Sequence, residues 1–234
     1  MARPDPAGRR GGSNGIRVSP SPRVLRVLLV EDEALNRALV RAIEAGKIRS
    51  YGVSEWSAAH IREAHAVHPV GAVQTEYSLW TRNVELGVLD TCRRLGIALV
   101  AFSPVGRGAF GGVLKDPATL EEQDLRTKMP RFSPDNWPHN LVLIERFESL
   151  ARTIGLAPAQ LALAWVLGQG DNIHVIPGTT KEQHLADNLR AAELTVPQEV
   201  LDAADALINE QTVAGHRYHD AIRPTIDTEE FEPA

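Results

Sequence analysis

The amino-acid sequence predicts an α/β protein in which parallel strands alternate with helices. Two observations support this prediction: short apolar runs suited to buried strands recur along the chain, and a helical pattern follows each of them. The runs lie at residues 48–53, 72–77, 97–102 and 174–176. Such alternation indicates parallel strands joined by right-handed crossovers. Four βα units fit either an open doubly wound sheet or part of a (βα)8 barrel, whose complete form takes about 250 residues and eight strands.

The helical segments are recognised by their apolar spacing and by their capping residues. Helices that follow the strands are predicted to begin at Ser57, Asn83, Asn140 and Lys181. A further helix, at 159–168, follows a proline suited to a first turn and is apolar on nearly all sides, which indicates burial in a large core. A last amphipathic helix is predicted after Pro197.

The two ends of the chain differ from this repeating region. Residues 1–22 are rich in Pro, Gly, Ser and Arg and are predicted to be a disordered leader. Residues 23–45 form one additional N-terminal βα unit, with a strand at 26–30 and a helix that Gly46 ends. Residues 46–210 hold the repeats, and a loose polar tail is predicted over 211–234.

Composition excludes several classes of protein. The chain of 234 residues is 43% hydrophobic and has a formal net charge of -5, which argues against a general nucleic-acid binder because phosphate contacts need a basic face. No apolar run reaches the roughly 18 residues of a membrane span. The single cysteine, Cys92, excludes an internal disulfide and favours a cytoplasmic location. The histidine pairs lack the further ligands of a metal site.

Hydrogen-bonding residues follow every predicted strand of the repeating region. Because the carboxyl ends of parallel strands meet at one edge, these residues are expected to share a rim. Phe102 offers an aromatic face there, and the glycine-rich segment up to Arg107 suits phosphate. Thr179 and Thr180 precede a helix whose free N–H groups favour an anion, and Lys181 adds a positive charge. Taken alone, this last feature also fits a capped surface helix with an incidental lysine.

Several segments carry a resemblance to a known family. KIRSYGVSEWS, AVQTEYSLWTRNVE, LVAFSPVGRGAFGG, PAQLALAWVLGQG and IPGTTKEQHLADN, together with Pro130-Arg131-Phe132, occur in order over residues 44–209. This region resembles the C-terminal half of aldo-keto reductases, which reduce aldehydes and ketones with NADPH. The resemblance implies half of a (βα)8 TIM barrel and a site for NADP(H).

The resemblance also implies a role for each residue of the rim. Ser54, Glu55 and Gln74 would hold the nicotinamide carboxamide, although many members have asparagine in place of Glu55. Phe102 would stack on the nicotinamide, where tyrosine is commoner. The pyrophosphate would lie against Ser103, Pro104, Val105, Gly106 and Arg107. The 2′-phosphate and adenine would be enclosed by Ile176, Pro177, Gly178, Thr179, Thr180, Lys181, His184, Asp187 and Asn188, with arginine commoner than His184.

The family's catalytic aspartate, tyrosine, lysine and histidine belong to the half of the barrel that this resemblance does not cover. None of the four has a counterpart, so we predict no catalytic residue and no carbonyl reduction by this polypeptide alone. The rival hypothesis is a catalytically inactive nucleotide-binding or interaction module. A half-barrel would expose two strand edges, through which two chains could self-associate.

A second, shorter resemblance concerns the N-terminal unit. Residues 27–33, VLLVEDE, followed by NRALV at 36–40, resemble the first βα unit of response-regulator receiver domains. In such a domain Glu31 and Asp32 would help to bind Mg²⁺, but no later strand supplies the aspartate that is phosphorylated. The prediction is therefore a foreign or receiver-like unit without phosphotransfer, joined to the repeats near Ala45.

Overall fold

The computed structural model describes residues 29–30 and 33–231 of the chain, so the predicted leader lies outside the described residues. Its centre is a five-stranded sheet in which every neighbouring pair is parallel and the strand order follows the sequence. The strands are β1 (Leu29–Val30), β2 (Gly52–Ser54), β3 (Ala72–Glu76), β4 (Ala98–Phe102) and β5 (Ile173–Ile176). The predicted α/β class and the parallel sheet are confirmed.

Seven α-helices connect and cover the strands in the described part of the chain. They are α1 (Glu33–Glu44), α2 (Ala58–Val67), α3 (Val88–Leu95), α4 (Trp137–Thr153), α5 (Pro158–Leu167), α6 (Glu182–Ala191) and α7 (Gln198–Leu207). Short 3-10 turns fill the long connection between β4 and α4. Ser57 caps α2 as predicted, since its hydroxyl accepts the N–H of His60.

The additional N-terminal strand lies beside the repeats. Leu29 is in register with Gly52 and Val30 with Val53, so β1 covers the edge of β2. The first repeat strand is shorter than the predicted 48–53, because its ladder begins only at Gly52. A Cβ atom there would lie 2.8 Å from the carbonyl oxygen of Ala72, which explains a glycine at this close approach.

Helix α4 begins at Trp137, three residues earlier than predicted. Pro138 lies in its first turn, where a missing N–H is tolerated. Asn140 therefore lies inside the helix, and its buried side chain donates to the carbonyl oxygens of Arg131 and Ala214. Asparagine is typical of a helix start, which led to the prediction at Asn140. In the structure the carboxamide of Asn140 instead joins two loops to α4.

The core lies between the sheet and its helices. Helix α5 is buried along most of its length, as its all-round apolar sequence predicts, and Trp165 packs edge-on against Tyr77. The thiol of Cys92 is buried in α3, and burial raises its pKa to about 12. Within the described residues no single helix has the length and apolarity to cross a membrane; α4 and α5 pass that test only jointly, with an 87° bend between them.

The C-terminal segment, residues 212–231, differs from the predicted loose tail. Arg217, Tyr218 and Thr228 are buried, and the carboxylates of Asp227 and Glu229 accept the backbone N–H groups of Ser57 and Ala58. The prediction of a loose tail is therefore wrong for these residues. Polar side chains of this segment form hydrogen bonds with distant parts of the chain. A local sequence pattern does not reveal such contacts.

Candidate functional site

The carboxyl ends of the strands form a continuous rim, as the parallel arrangement predicts. Ser54 lies in register with Gln74 on the neighbouring strand. Further along the sheet, Glu76 is in register with Phe102, and Phe102 with Ile176. Register thus brings the polar ends of β2 and β3 beside the aromatic end of β4.

The backbone at this rim is held in an uncommon conformation. Glu55, Ser103 and Arg107 have φ values of 55°, 51° and 54°, and among the described residues they are the non-glycine positions with positive φ. Each follows the end of a strand, and all three belong to the predicted site. Left-handed backbone at non-glycine residues is unfavourable and clusters at functional sites.

The carboxylate of Glu55 is fully engaged within the protein. One oxygen accepts the hydroxyl of Thr75 at 2.9 Å and the backbone N–H of Glu76 at 2.8 Å. The other forms an ion pair with Arg217 at 3.0 Å and accepts the hydroxyl of Thr228. Glu55 therefore anchors the C-terminal segment to β3, which leaves Ser54 and Gln74, both partly exposed, as the more open polar groups of this part of the rim.

Arg107 also makes its strongest contacts inside the molecule. Its guanidinium pairs with Glu76 at 2.9 Å and donates to the hydroxyl of Tyr218 at 2.8 Å. It also lies 5.8 Å from the ring centre of Phe102. Burial disfavours the Arg107 charge, but Glu76 and Tyr218 together outweigh that effect and hold the pKa of Arg107 above its usual range. The charge of Arg107 is therefore already paired within the protein.

The start of α6 is open to solvent. Residues 178–181 and His184 are exposed, and Lys181 forms no ion pair with the described carboxylates. The hydroxyl of Thr179 accepts the backbone N–H of Lys181 at 3.1 Å. A helix N-terminus with an adjacent unpaired lysine and no bulky neighbour at Gly178 provides donors and positive potential for a phosphate.

The end of this segment is less open. Pro177, Asp187 and Asn188 are partly buried, and the carboxylate of Asp187 accepts from the amide of Gln183. Pro104 and Gly106 are buried below the rim, and Val105 is partly buried. The structure thus brings the predicted residues to one edge of the sheet, where they form two groups. Those near α6 are open to solvent, whereas those near β2 and β3 are largely bonded to other residues of the protein.

The hydroxyls of the three described tyrosines all make hydrogen bonds within the protein. Tyr51 and Tyr77 are buried, with their hydroxyls bonded to the His68 carbonyl and the Glu85 carboxylate. Burial raises the pKa of Tyr218, which lies at the rim beside Arg107. Proton donation near neutral pH is favoured by the opposite shift, toward a lower pKa.

Sequence analysis missed the residues that occupy the centre of the site. Arg131, Arg217 and Tyr218 converge with Glu76 beneath the rim, although Arg217 and Tyr218 follow Glu76 by more than a hundred residues. Glu76, at the end of an apolar strand, and Arg131, in the segment Pro130-Arg131-Phe132, carry a local signal, whereas Arg217 and Tyr218 do not. Within the described residues, no group of three or more His, Cys, Asp and Glu side chains is arranged to hold a metal ion.

Comparisons with known proteins find one matching family and similar solved structures. The sequence profile of the Aldo/keto reductase family matches residues 4–209, a range that includes the predicted receiver-like unit. The structure is similar to that of a glycerol dehydrogenase from Gluconobacter oxydans, with a TM-score of 0.71 and 22% identity over 89% of this chain and 60% of that one. It is also similar to a thermostable aldo-keto reductase solved in complex with the inhibitor epalrestat.

That second similarity has a TM-score of 0.58 and 25% identity over 77% of this chain and 59% of the other. The chain thus spans about 60% of the length of the solved structures that it matches. Its parallel βα repeats are those of a TIM-barrel-like fold.

Proposed function

Because the chain belongs to the aldo/keto reductase family, a family of oxidoreductases, we propose that it binds NADP(H) along the carboxyl edge of its sheet. The observation that carries this proposal is the open N-terminus of α6, where Thr179, Thr180 and Lys181 are exposed beside free helical N–H groups. These are the donors that a phosphate group requires. The same edge offers the partly exposed ring of Phe102 for a flat heteroaromatic ring.

The proposed placement follows the rim from one end to the other. Lys181 and His184 would hold the 2′-phosphate, and the strained loop from Ser103 would hold the pyrophosphate through its backbone. Ser54 and Gln74 would bind the carboxamide. Glu55 contributes indirectly, because its carboxylate already fixes the rim through Thr75 and Arg217. NADPH would supply a hydride when bound, and these residues would orient it.

We further propose that this 234-residue chain does not reduce carbonyl compounds by itself. The environments of Tyr51, Tyr77 and Tyr218 support this view, since burial raises the pKa of all three. A chain with half of a barrel and no positioned proton donor would act as a nucleotide-binding or interaction module. The receiver-like and cytoplasmic assignments rest on sequence alone and stay predictions.

Fluorescence titration of the purified chain with NADPH and with NADH tests the cofactor site. We expect NADPH to bind more tightly, and Lys181→Met to weaken NADPH binding about tenfold or more through loss of a charged contact. NADH binding should change little in the same variant. Lys128→Met, which alters another exposed lysine, is the matched control.

Two outcomes would contradict the proposal. Equal affinity of the wild-type chain for the two nucleotides, or no binding at all, would rule out the 2′-phosphate site at Lys181. Steady NADPH consumption that depends on an added aldehyde would refute the absence of catalysis and leave the binding proposal intact.

A further inference from the structure

A small cavity lies beneath the rim, separate from the open start of α6. We call it the arginine cavity, because Arg107, Arg131 and Arg217 line it together with Glu76 and Trp80. Its volume is about 10 Å³. A cavity of that size holds one water molecule or one ion of similar size.

The polar atoms around this cavity are unevenly satisfied. Within the described residues, five buried side-chain polar atoms have no hydrogen-bond partner in the protein. Four of them belong to residues that line the arginine cavity: Trp80 Nε1, Arg107 Nε, Arg217 Nε and Arg217 Nη2. All four are donors, and a buried donor without an acceptor is strongly unfavourable. The unsatisfied atoms of the residues around the arginine cavity are therefore all donors, while the Glu76 carboxylate in its wall already accepts from Arg107 and Thr81.

The charges around the cavity are not fully balanced. Arg107 pairs with Glu76 at 2.9 Å, and Arg217 pairs with Glu55 at 3.0 Å. Arg131 instead donates to neutral oxygens, the carbonyl of Gly215 and the hydroxyl of Thr81, and forms no ion pair with the described carboxylates.

Glu230 and the protonation of Arg131 also affect the charge balance at the cavity. Glu230 lies 3.7 Å from Arg217 but is bonded to His216 at 2.6 Å and remains partly exposed. Arg131 is partly exposed as a residue, but burial of its guanidinium and the nearby Arg217 and Arg107, offset in part by Glu76, lower its pKa to about 10. Arg131 is thus still protonated at neutral pH, as one cation without a partner anion.

We propose that the arginine cavity binds a monovalent halide-sized anion, with chloride as its occupant in solution. A water molecule accepts two hydrogen bonds and must donate two of its own, whereas the unsatisfied atoms here are all donors. An anion needs only donors, and the guanidinium groups attract it strongly where water is largely excluded. Met129 and Phe132 provide the apolar part of the wall, which suits a weakly hydrated ion. This inference does not depend on NADP(H) binding.

The occupant would join three separate parts of the chain. Trp80 follows β3, Arg107 follows β4, and Arg217 belongs to the C-terminal segment. An anion that accepts from all three would stabilise the packing of that segment. Thermal unfolding of the full chain should therefore respond to chloride itself, beyond any general effect of ionic strength.

The test compares sodium chloride and sodium bromide with sodium gluconate at equal ionic strength, because gluconate is too large for the cavity. We expect the unfolding temperature to rise with halide concentration in the way that ligand binding to the native state produces. Crystals grown with bromide should show an anomalous peak within the cavity. Equal unfolding temperatures in gluconate and chloride, together with a single water molecule in the crystal, would overturn the proposal.

Variants separate a halide site from a merely packed cavity. Trp80→Phe removes one donor and keeps an aromatic ring, and we expect it to weaken halide affinity about tenfold. Trp56→Phe is the matched control, because Trp56 does not line the cavity. Unchanged halide affinity in Trp80→Phe would exclude the proposed contact. If the variant is less stable, a crystal of it grown with bromide still shows whether an anion is bound in the cavity.

Discussion

At the scale of single residues, the ion pair between Glu55 and Arg217 does most to shape the rim. The Arg217 side chain is 1% exposed and that of Glu55 is 12% exposed, so neither charge is screened well by water. Removal of one partner would leave the other charged and buried, which is far less favourable than removal of both. Glu55 is thereby fixed in its left-handed conformation beside the proposed carboxamide site.

We therefore predict that Arg217→Met lowers the free energy of unfolding by about 3 kcal/mol. The double variant Glu55→Gln with Arg217→Met should be less destabilised than the sum of the two single variants, because no buried charge remains unpaired. Urea denaturation of all three proteins measures this coupling. Arg94→Met, in an exposed pair with Asp90, should change stability by less than about 1 kcal/mol; additive effects at Glu55 and Arg217 would disprove the coupling.

At the scale of elements, the C-terminal segment serves as a cap for helix α2. The first turn of α2 contains no acidic residue of its own. Asp227 accepts the backbone N–H of Ser57 at 2.7 Å, and Glu229 accepts that of Ala58 at the same distance. Carboxylates at a helix N-terminus satisfy free N–H groups and interact favourably with the helix dipole. The segment and α2 therefore stabilise each other.

This capping should depend on pH. Burial alone would raise the pKa of Asp227, but hydrogen bonds from the Ser57 backbone and the His60 ring outweigh it and hold the pKa below its usual range. An acid with a depressed folded pKa stabilises the fold above its unfolded pKa, about 3.9, and that contribution is lost as the pH falls through the lower folded pKa. The segment should therefore be held firmly at pH 6 and loosened near pH 3.

Hydrogen exchange of the backbone amides in residues 212–231, corrected for the intrinsic pH dependence, measures this loosening. Asp227→Asn should reduce protection already at pH 6, by about 1 kcal/mol or less for a lost cap. Asp220→Asn is the matched control, because that carboxylate is 98% exposed. Equal protection of the wild-type segment at both pH values would show that Asp227 does not hold it.

At the scale of the whole molecule, the sheet of the described residues has two edge strands, β1 and β5. Apolar side chains are exposed at the end of β5 and on the helix that follows it: Ile176 is 46% exposed, and Leu185 and Leu189 on α6 are 51% and 66% exposed. An uncovered strand edge next to apolar surface favours association with another chain. We propose that two copies associate through this side of the sheet.

Light scattering coupled to size exclusion should accordingly find more than one chain per particle. The double variant Leu185→Lys with Leu189→Lys should shift the mass toward that of one chain, whereas Leu125→Lys, at a 51% exposed leucine elsewhere, should not. A wild-type chain that elutes as a monomer and melts sharply would refute association through the edge.

The sequence by itself determined the alternation of strands and helices and the polar ends of the strands. Both follow from local patterns: apolar runs of strand length, capping by Ser57, and a helix at Pro158 without a polar face. Some strands and helices begin a few residues away from their predicted starts. The difference arises where pairing with a neighbouring strand sets the first residue, or where a proline such as Pro138 lies in the first turn of the helix. The rim was predictable because parallel strands end on one side of a sheet.

Only the tertiary structure decided which distant residues bind to the polar groups at that rim. Glu55 and Arg217 are 162 residues apart in sequence, and Asp227 accepts the backbone N–H of Ser57, which lies 170 residues before it. No local pattern encodes such pairs, because the energy of a buried charge depends on which distant group folding brings within hydrogen-bond reach. For the same reason, the arginine cavity appears in the fold and not in the sequence.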